Sequence, residues 1–467
     1  MVAIPILSGI TTSGTDFRSD YPLNLIPVPK VQGISQGFLR PAEGIVAVAD
    51  GGGANRGGTR WRDRHYLVMG NNFIRADADG TVTVIGTVAG SDWVSFAESF
   101  THLAINGGGK IYLYDGMTLN QIADIDLGVS LDVAWINGYF MSTDGESLIV
   151  TDLTNPFSVS PLKYGSSEIS PDPVVSLIKL RNEIYALNRF TIEVFAALSN
   201  PGLGFPFARI EGAQIMKGVI GSRACCEFMQ SIAFLGGGDN EPPSLWVGGG
   251  GDAKKLSTRE IDDVLRGYSD TDLALTVLEA RADRNHQFLY VHLPDRTLVY
   301  DGAASVAMEQ PVWFVLRSGA VPGSYRARGM VWCYGRWNVA DPFGTQIGYL
   351  TDDVGSHYGD VTRWNFTTPI IYNAGKGVQI HEIELVALTG DVAPGDDPVL
   401  STQYSLDGQR WSQPRYIRAG KNGHLVKRLV WDRQGTFKNW RIQRFSGDSR
   451  AHVAFARLEA DMETLAL

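Results

Sequence analysis

Residues 280–302, ARADRNHQFLYVHLPDRTLVYDG, carry the pattern that decides the fold. Apolar residues recur at every second position, a short turn around Asn285 interrupts them, and the alternation then resumes. A period of two places one face of each segment in a core, and a tight turn between two such segments is typical of a β-hairpin. The segment therefore predicts paired antiparallel strands.

Six other parts of the chain repeat this pattern, at residues 66–86, 101–116, 132–153, 176–198, 226–251 and 327–353. We mark the seven units by one turn residue each, namely Asn71, Asn106, Asn137, Asn182, Gln230, Asn285 and Gly335, which are on average 44 residues apart. Blade-type repeats have a period of roughly 40–50 residues. The spacing predicts an irregular β-propeller of about seven blades over residues 61–358, and a β-sandwich or barrel with over-counted hairpins is the alternative.

Two segments lie outside the repeats. Residues 1–60 hold many Pro and Gly residues and few clear strands, which predicts an extended N-terminal arm with an entry strand. Residues 359–467 resume long alternating strands and predict a separate C-terminal β-sandwich domain. Inside the propeller region, Thr258 precedes an amphipathic stretch with acidic residues in its first turns, so one inserted helix is expected over residues 258–268.

Composition excludes several protein classes. Glycine makes up 53 of the 467 residues without a period of three, 44 % of residues are hydrophobic and 19 % are charged, so the chain is neither collagen nor disordered. It has no basic leader region and no run of about 18 apolar residues, so we expect synthesis in the cytoplasm and no membrane anchor.

Charge is unevenly distributed. The net charge is −9, yet residues 408–457 hold twelve basic and two acidic residues, which leaves about −19 for the rest of the chain. The candidate interface residues in this basic stretch are Arg410, Arg415, Arg418, Lys421, Lys427, Arg428, Arg433, Lys438, Arg441 and Arg444. Three interpretations stay open, namely a solvated face, a contact surface for an acidic protein and a nucleic-acid contact.

No catalytic, cofactor-binding or metal-ligating pattern is found. The sequence after Asn106, GGGK, lacks the first Gly and the final Ser or Thr of a phosphate-binding loop, and the eight histidines and three cysteines have no metal-site spacing. Residues 405–411, SLDGQRW, resemble a shortened Asp-box turn, a structural element also found in sialidases. We therefore expect no catalytic residues, no cofactor and no metal.

Several stretches resemble the packaged-DNA stabilisation proteins of short-tailed bacteriophages, also called tail accessory factors, hubs or nozzles. They are residues 15–45 (TDFRSDYPLNLIPVPKVQGISQGFLRPAEGI), 257–274 (STREIDDVLRGYSDTDLA), 292–301 (HLPDRTLVYD) and 311–319 (PVWFVLRSG). The positions that carry the family-like motifs are Asp16, Phe17, Tyr21, Pro29, Lys30, Leu39, Arg40, His292, Leu293, Pro294, Tyr300 and Asp301.

The resemblance implies a non-enzymatic structural protein of the virion tail. It implies a homo-oligomeric ring, typically of six copies, below the portal and adaptor proteins, which extends and closes the DNA channel, retains the packaged DNA and joins the tail needle or distal tail proteins. DNA is expected to pass without specific binding, and the extended arm is expected to reach a neighbouring subunit or the adaptor. The alternatives are a propeller-type glycan hydrolase and a receptor- or glycan-binding tail protein.

Overall fold

The computed structural model describes residues 1–30, 37–200, 202–321 and 323–465. These residues form seven antiparallel sheets, each with four main strands, that follow one another around a ring. The innermost strand of each sheet contacts the innermost strands of both neighbouring sheets, and the seventh sheet contacts the first. The arrangement is a seven-bladed β-propeller, as the repeat spacing predicts.

The blades are numbered in chain order. Blade 1 comprises Asn55–Trp61, Arg64–Met69, Asn72–Ala76 and Val82–Thr87. Blade 2 comprises Ser95–Glu98, Leu103–Gly107, Lys110–Tyr114 and Leu119–Gln121. Blade 3 comprises Asp132–Ile136, Tyr139–Thr143, Ser147–Thr151 and Val159–Ser166, and is preceded by a 3-10 turn at Ile125–Leu127. Blade 4 comprises Val174–Leu180, Glu183–Asn188, Ile192–Ala197 and Phe207–Arg209.

Blade 5 comprises Gly218–Val219, Cys225–Phe228, Ser231–Gly237, Ser244–Gly249 and Asp252–Lys255, where the first two strands pair with the same neighbour. Blade 6 comprises Val277–Asp283, His286–His292, Thr297–Asp301 and Trp313–Leu316. Blade 7 comprises Arg328–Cys333, Arg336–Ala340, Gln346–Thr351 and Gly44–Asp50. Because Gly44–Asp50 comes from the other end of the propeller sequence, its pairing with Gln346–Thr351 closes the ring.

Two of the seven marker residues lie at a different turn from the other five. Asn137, Asn182, Gln230, Asn285 and Gly335 each follow the innermost strand of their blade and precede the strand paired with it. In blade 1, Asn71 instead lies at the turn between the second and third strands, and in blade 2, Asn106 lies near the end of the second strand, so our assignment of these two to the turn of a first hairpin is wrong. The reason is that both hairpins of a blade carry the same alternation and the same turn residues.

Three short α-helices lie within the described ranges. Helix α1 is Arg259–Leu265, α2 is Asp270–Ala274 and α3 is Gly302–Met308. The predicted helix exists between blades 5 and 6 but ends at Leu265, and a separate capping box, in which the side chains of Ser269 and Asp272 bond each other's backbone N–H, starts α2. Helix α3, which joins the third and fourth strands of blade 6, was not predicted.

The second domain is a sandwich of two antiparallel sheets. The first sheet contains Val2–Ile4, Leu25–Pro29, Gly37–Pro41, Val378–Leu388, Leu429–Phe437 and Ala454–Thr464. The second contains Arg363–Thr367, Ile371–Tyr372, Val399–Ser405, Arg415–Arg418 and Trp440–Asp448. Side chains of both sheets, among them Leu39, Ile383, Phe445 and Phe455, fill one buried apolar core.

The expected extended arm differs from the structure. Val2–Ile4 pairs with Ala454–Thr464, and Leu25–Pro29 and Gly37–Pro41 add two further strands to the same sheet. Residues Gly9–Ser13 and Asp16–Asp20 form a separate hairpin. The Pro-rich composition hid these strands, because proline weakens a strand signal although an edge strand tolerates it. The N-terminal residues thus complete the C-terminal sandwich.

The sandwich is attached to blade 6 of the propeller. The Asn24 backbone N–H donates to the carbonyl oxygen of Val315, at 2.8 Å, in the outermost strand of that blade. The Asn24 side-chain amide also donates to the carbonyl oxygens of Arg317, at 2.9 Å, and of Arg363, at 2.7 Å. One buried asparagine therefore connects the propeller edge to the second sheet of the sandwich.

Candidate interaction surfaces

Eight of the ten predicted interface residues are exposed on the sandwich. They are Arg410, Arg415, Arg418, Lys421, Lys427, Arg428, Arg433 and Lys438. Arg418 pairs with Asp397 at 2.9 Å and Arg428 pairs with Glu384 at 2.5 Å. Within the described ranges, Lys421, Lys427, Arg433 and Lys438 make no ion pair, so their charges are free to meet a partner.

Arg441, which was predicted to lie on the contact surface, is buried instead. It is 1 % exposed, and its guanidinium donates to the carbonyl oxygen of Gln434, at 2.6 Å, and to the side chain of Gln443, at 2.8 Å. It also stacks on the ring of Tyr404, and burial lowers the pKa of Arg441 to about 10. Arg444 is half-buried and stacks on the ring of Trp411 at 3.6 Å from its centroid. Alternation along the strand Trp440–Asp448 turns Arg441 inward, which a charge count cannot detect.

Exposed apolar side chains lie among the free lysines. Residues 421–428, which we call the basic loop, connect two sandwich strands, and every residue in the loop is exposed. Leu425 and Val426 are 73 % and 93 % exposed. Exposed apolar side chains and charges that make no ion pair therefore lie next to each other in this loop.

A complementary acidic surface lies on blades 2 and 3. Residues 88–173 contain eleven acidic residues and two lysines. Asp132 is buried, but Glu98, Asp115, Asp144, Glu146 and Glu168 are exposed. We call the exposed acidic residues of this region the acidic face. A charge count over shorter windows could have found it from the sequence, whereas our count over the whole remainder of the chain did not.

The basic loop and the acidic face belong to different parts of the molecule, the sandwich and blades 2 and 3. The sandwich is attached at blade 6, and two blades separate blade 6 from the acidic face in either direction around the ring, namely blades 7 and 1 on one side and blades 5 and 4 on the other. Opposite charges on separate surfaces allow one copy to contact the next in a head-to-tail manner.

The first family-like motif ties the N-terminal hairpin to helix α1. Tyr21 shares a hydrogen bond of 2.7 Å with the hydroxyl of Thr258, the N-cap residue of α1. Asp16 accepts from the Arg259 guanidinium at 3.1 Å, while Phe17 is 54 % exposed and contacts the ring of Trp440. Two sequence stretches that carry the resemblance are therefore in direct contact.

Four other motif positions lie around the first sandwich sheet. Leu39 is fully buried in the sandwich core, and Arg40 forms an ion pair of 2.8 Å with Asp352 just after blade 7. Pro29 ends the strand Leu25–Pro29, and Lys30 is exposed. Leu39 and Arg40 thus act in packing and domain attachment.

The last motif forms the interior of blade 6. His292 bonds the hydroxyl of Thr297 and the carboxylate of Glu279, each at 3.0 Å, and Leu293 is buried. The Pro294 carbonyl accepts from Ser324, and Tyr300 packs on Trp313 at 5.1 Å between ring centroids.

Asp301 is the most constrained residue of this motif. Its carboxylate is within 2.5 Å of Nδ1 of His286, accepts from the Gln287 N–H at 3.2 Å and caps helix α3 by accepting from the Ala304 N–H at 3.2 Å. The motif is therefore a set of structural side chains.

The Asp-box-like turn is also structural. The Asp407 carboxylate accepts from the backbone N–H groups of Gln409 and Arg410 at 2.9 and 2.8 Å, and these bonds lower the pKa of Asp407. Thr11 and Thr12 donate to backbone carbonyl oxygens of the same turn. The turn therefore anchors the N-terminal hairpin to the sandwich.

Side-chain pairs that could suggest catalysis are buried. The Ser318 hydroxyl and Nδ1 of His357 are 2.7 Å apart, but Ser318 is 5 % and His357 1 % exposed, and burial lowers the pKa of His357 to about 3. Burial likewise raises the pKa of Cys225 to about 12. Across the described residues, no group of three or more His, Cys, Asp or Glu side chains is placed to hold a metal ion. The same part of the chain has no helix with the length and apolar character to cross a membrane.

Comparison with known proteins identifies the family. The bacteriophage P22 Gp10 β-propeller family matches residues 2–355, and the bacteriophage P22 Gp10 β-sandwich family matches residues 363–463. The chain belongs to the bacteriophage P22 Gp10 family. It is 28 % identical to the tail hub protein gp10 of Salmonella phage P22, over 95 % of this chain and 94 % of that protein. The predicted resemblance to phage tail hub and stabilisation proteins, and the propeller with its C-terminal sandwich, are confirmed.

Two solved structures align with this member of the Gp10 family at low sequence identity. The N-terminal domain of Nup159 aligns with 64 % of this chain and 89 % of its own length, at a TM-score of 0.41 and 8 % identity. PorZ of Porphyromonas gingivalis aligns with 80 % of this chain and 46 % of its own length, at a TM-score of 0.38 and 12 % identity.

Proposed function

We propose that this protein is a non-enzymatic hub of a phage tail, located in the virion tail and built as a ring of copies. Membership of the P22 Gp10 family and the named role of its P22 relative as a tail hub protein support the tail location. The proposed ring lies below the portal and adaptor proteins, continues the DNA channel, retains the packaged DNA and joins the needle or distal tail proteins.

The observation that carries the ring is the separation of charge across the molecule. The basic loop of one copy contacts the acidic face of the next copy, and the exposed Leu425 and Val426 become buried in that contact. Such a contact uses two different surfaces, so it repeats until rotation closes the ring. A ring of six copies is proposed from the family resemblance.

The same contact keeps basic side chains out of the DNA channel. Lysines and arginines that faced the channel would bind phosphates and slow the DNA during ejection. Engagement of the basic loop with a neighbouring subunit removes these charges from the channel, so DNA passes without specific binding. The N-terminal strands are part of the sandwich, so the proposed arm contact to the adaptor is reduced to the hairpin Gly9–Ser13 and Asp16–Asp20.

Charge-reversal substitutions on the two surfaces test the proposed ring. One variant carries Lys421→Glu and Lys427→Glu on the basic loop, and a second carries Glu146→Lys and Glu168→Lys on the acidic face. Each alone is expected to stay monomeric under conditions in which the unmodified protein forms rings, because like charges then meet at every contact. An equal mixture is expected to form rings, since alternating copies restore every opposite-charge contact.

Sedimentation velocity and electron microscopy measure the outcome. Lys254→Glu with Arg266→Glu, at exposed positions outside both surfaces, is the matched control and is expected to assemble normally. Rings from either charge-reversed variant alone would contradict the proposed contact. The tail role is tested separately: particles that lack the protein are expected to package DNA and then lose it, and particles that keep their DNA would contradict that role.

A further inference from the structure

A cavity of about 260 Å³ lies at one end of the ring formed by the innermost strands of the propeller. Asn55, Val277 and Arg328 are the first residues of the innermost strands of blades 1, 6 and 7, and Ser222 and Arg223 precede the second strand of blade 5. All five residues line the cavity. Four blades thus meet around one small polar space, and no residue of the sandwich lines it.

The guanidinium of Arg328 lies in this cavity. Within the described ranges it makes no ion pair and no hydrogen bond, although its Nε atom is buried. The guanidinium carbon lies 5.5 Å from the centroid of the Phe343 ring. Burial lowers the pKa of Arg328, with the Glu279 charge acting in the opposite direction. A half-buried charge without a hydrogen-bond acceptor is costly unless a ligand supplies one.

A second arginine supplies another unused donor. Arg223 donates from one Nη atom to Asp132 at 2.9 Å, and its other Nη atom makes no hydrogen bond to a described residue. Arg56 adds a third positive charge, and its guanidinium donates to backbone carbonyl oxygens, including that of Asp92 at 2.8 Å. The cavity therefore presents two guanidinium groups with free donors beside a third that is held in place.

The carboxylates near the cavity are already engaged or lie at its rim. Asp132 accepts from Ser176, Leu177 and Arg223 at 2.6, 2.9 and 2.9 Å. Glu279 accepts from the Gly329 N–H at 2.8 Å and bonds His292 at 3.0 Å.

Asp92 is exposed at the edge of the cavity. Asp132, Glu279 and Asp92 form no ion pair with Arg328 in the described structure, so Arg328 is left for an external acceptor, while Arg223 keeps its bond to Asp132.

We propose that this cavity is an oxyanion-binding site in which Arg328 and Arg223 hold a phosphate or carboxylate group. Planar guanidinium groups match two oxygens of such an anion, and charge-assisted hydrogen bonds inside a protein are stronger than neutral ones. Leu275 and Phe343 are 69 % and 61 % exposed at the rim and leave room for the remainder of a larger ligand. The site uses none of the residues of the basic loop, and Asp92 at its edge belongs to the region that carries the acidic face.

Isothermal titration calorimetry on the full chain tests the site, with inorganic phosphate and glutarate as separate probes at constant ionic strength. The unmodified protein is expected to bind at least one probe saturably, at one site per chain. Binding of phosphate alone would assign a phosphate source, and binding of glutarate alone would assign a carboxylate source. Absence of saturable binding by both probes would overturn the proposal.

Three variants locate the binding. Arg328→Gln is expected to weaken the affinity about tenfold or more, as loss of a charge-assisted bond does. Leu275→Glu places an internal carboxylate at the rim and is expected to abolish binding without disturbing the core, so it decides the matter if Arg328→Gln fails to fold. Arg363→Gln, at an exposed arginine of the sandwich, is the matched control and should bind normally. Unchanged affinity in folded Arg328→Gln or in Leu275→Glu would refute this location.

Discussion

The hydroxyl groups of Tyr21 and Thr258 share a hydrogen bond of 2.7 Å across 237 residues of sequence. Thr258 also caps helix α1 by accepting from the Ile261 N–H, so one bond connects the N-terminal hairpin to a helix between blades 5 and 6. The ion pair between Arg18 and Asp263, at 3.1 Å, reinforces the contact. The N-terminal hairpin is thus fixed to the propeller while the strands that flank it belong to the sandwich.

Removal of this hydroxyl bond should destabilise the protein slightly. Tyr21→Phe is expected to lower the free energy of unfolding by about 1 kcal/mol, because the bond is lost while the ring and the helix cap remain. Urea denaturation measures the change. Tyr416→Phe is the control, since Tyr416 is 66 % exposed. Equal stability of the two variants would mean that the Tyr21 bond contributes nothing.

Asp301 should be far more sensitive than an ordinary surface aspartate. Asp301→Ala removes the cap of helix α3 and leaves His286 and the Gln287 N–H without their buried acceptor, so we expect a loss of about 2–4 kcal/mol in the free energy of unfolding. Thermal and chemical denaturation measure it. Asp239→Ala, at an exposed turn, should change stability by no more than about 0.5 kcal/mol. A loss no larger than that at Asp301 would contradict its structural role.

Acid should destabilise the protein through buried histidines. His65 is 1 % exposed, and burial, with a smaller contribution from the Arg336 charge, lowers the pKa of His65 to about 3. In the unfolded chain its pKa is about 6.5, so as pH falls below about 6.5 the unfolded state binds a proton that the folded state does not. Stability from His65 is therefore present above pH 6.5 and is lost as pH falls toward 3.

The histidine effect is measured as a difference between pH 7 and pH 5. The unfolding free energy of His65→Gln is expected to fall by about 2 kcal/mol less over this interval than that of the unmodified protein. His381→Gln, at a half-exposed histidine of the sandwich, should retain the full acid dependence. If His65→Gln has the same dependence on pH as the unmodified protein, His65 is not the titrating group.

Substitution of Arg441 should lower stability far more than substitution of Lys438. Arg441→Ala removes the donors to Gln434 and Gln443 in the buried sandwich and is expected to cost about 2–4 kcal/mol of stability, measured by urea denaturation. Lys438→Ala, three residues away and exposed, should leave stability within about 0.5 kcal/mol of the unmodified protein. The reverse order of effects would mean that Arg441 is not a core residue.

The sequence by itself determined the repeat architecture. Alternation with a period of two, turn residues about every 44 positions and glycine-rich tips predict blades, because strand pairing within a blade is local and depends on nearby residues. The basic stretch and the N-cap of helix α1 were predicted for the same reason. Family membership likewise followed from short motifs such as residues 292–301.

Tertiary structure decided what joins distant parts of the chain. The pairing of Gly44–Asp50 with blade 7, the N-terminal strands in the sandwich and the convergence of Arg223 with Arg328 all bring together residues that are more than 100 positions apart. Periodicity predicts which face of a strand is apolar, but it does not predict which other strand pairs with its edge. Arg441 has the same charge as Lys438, and only the packing of the two sheets buries one and exposes the other.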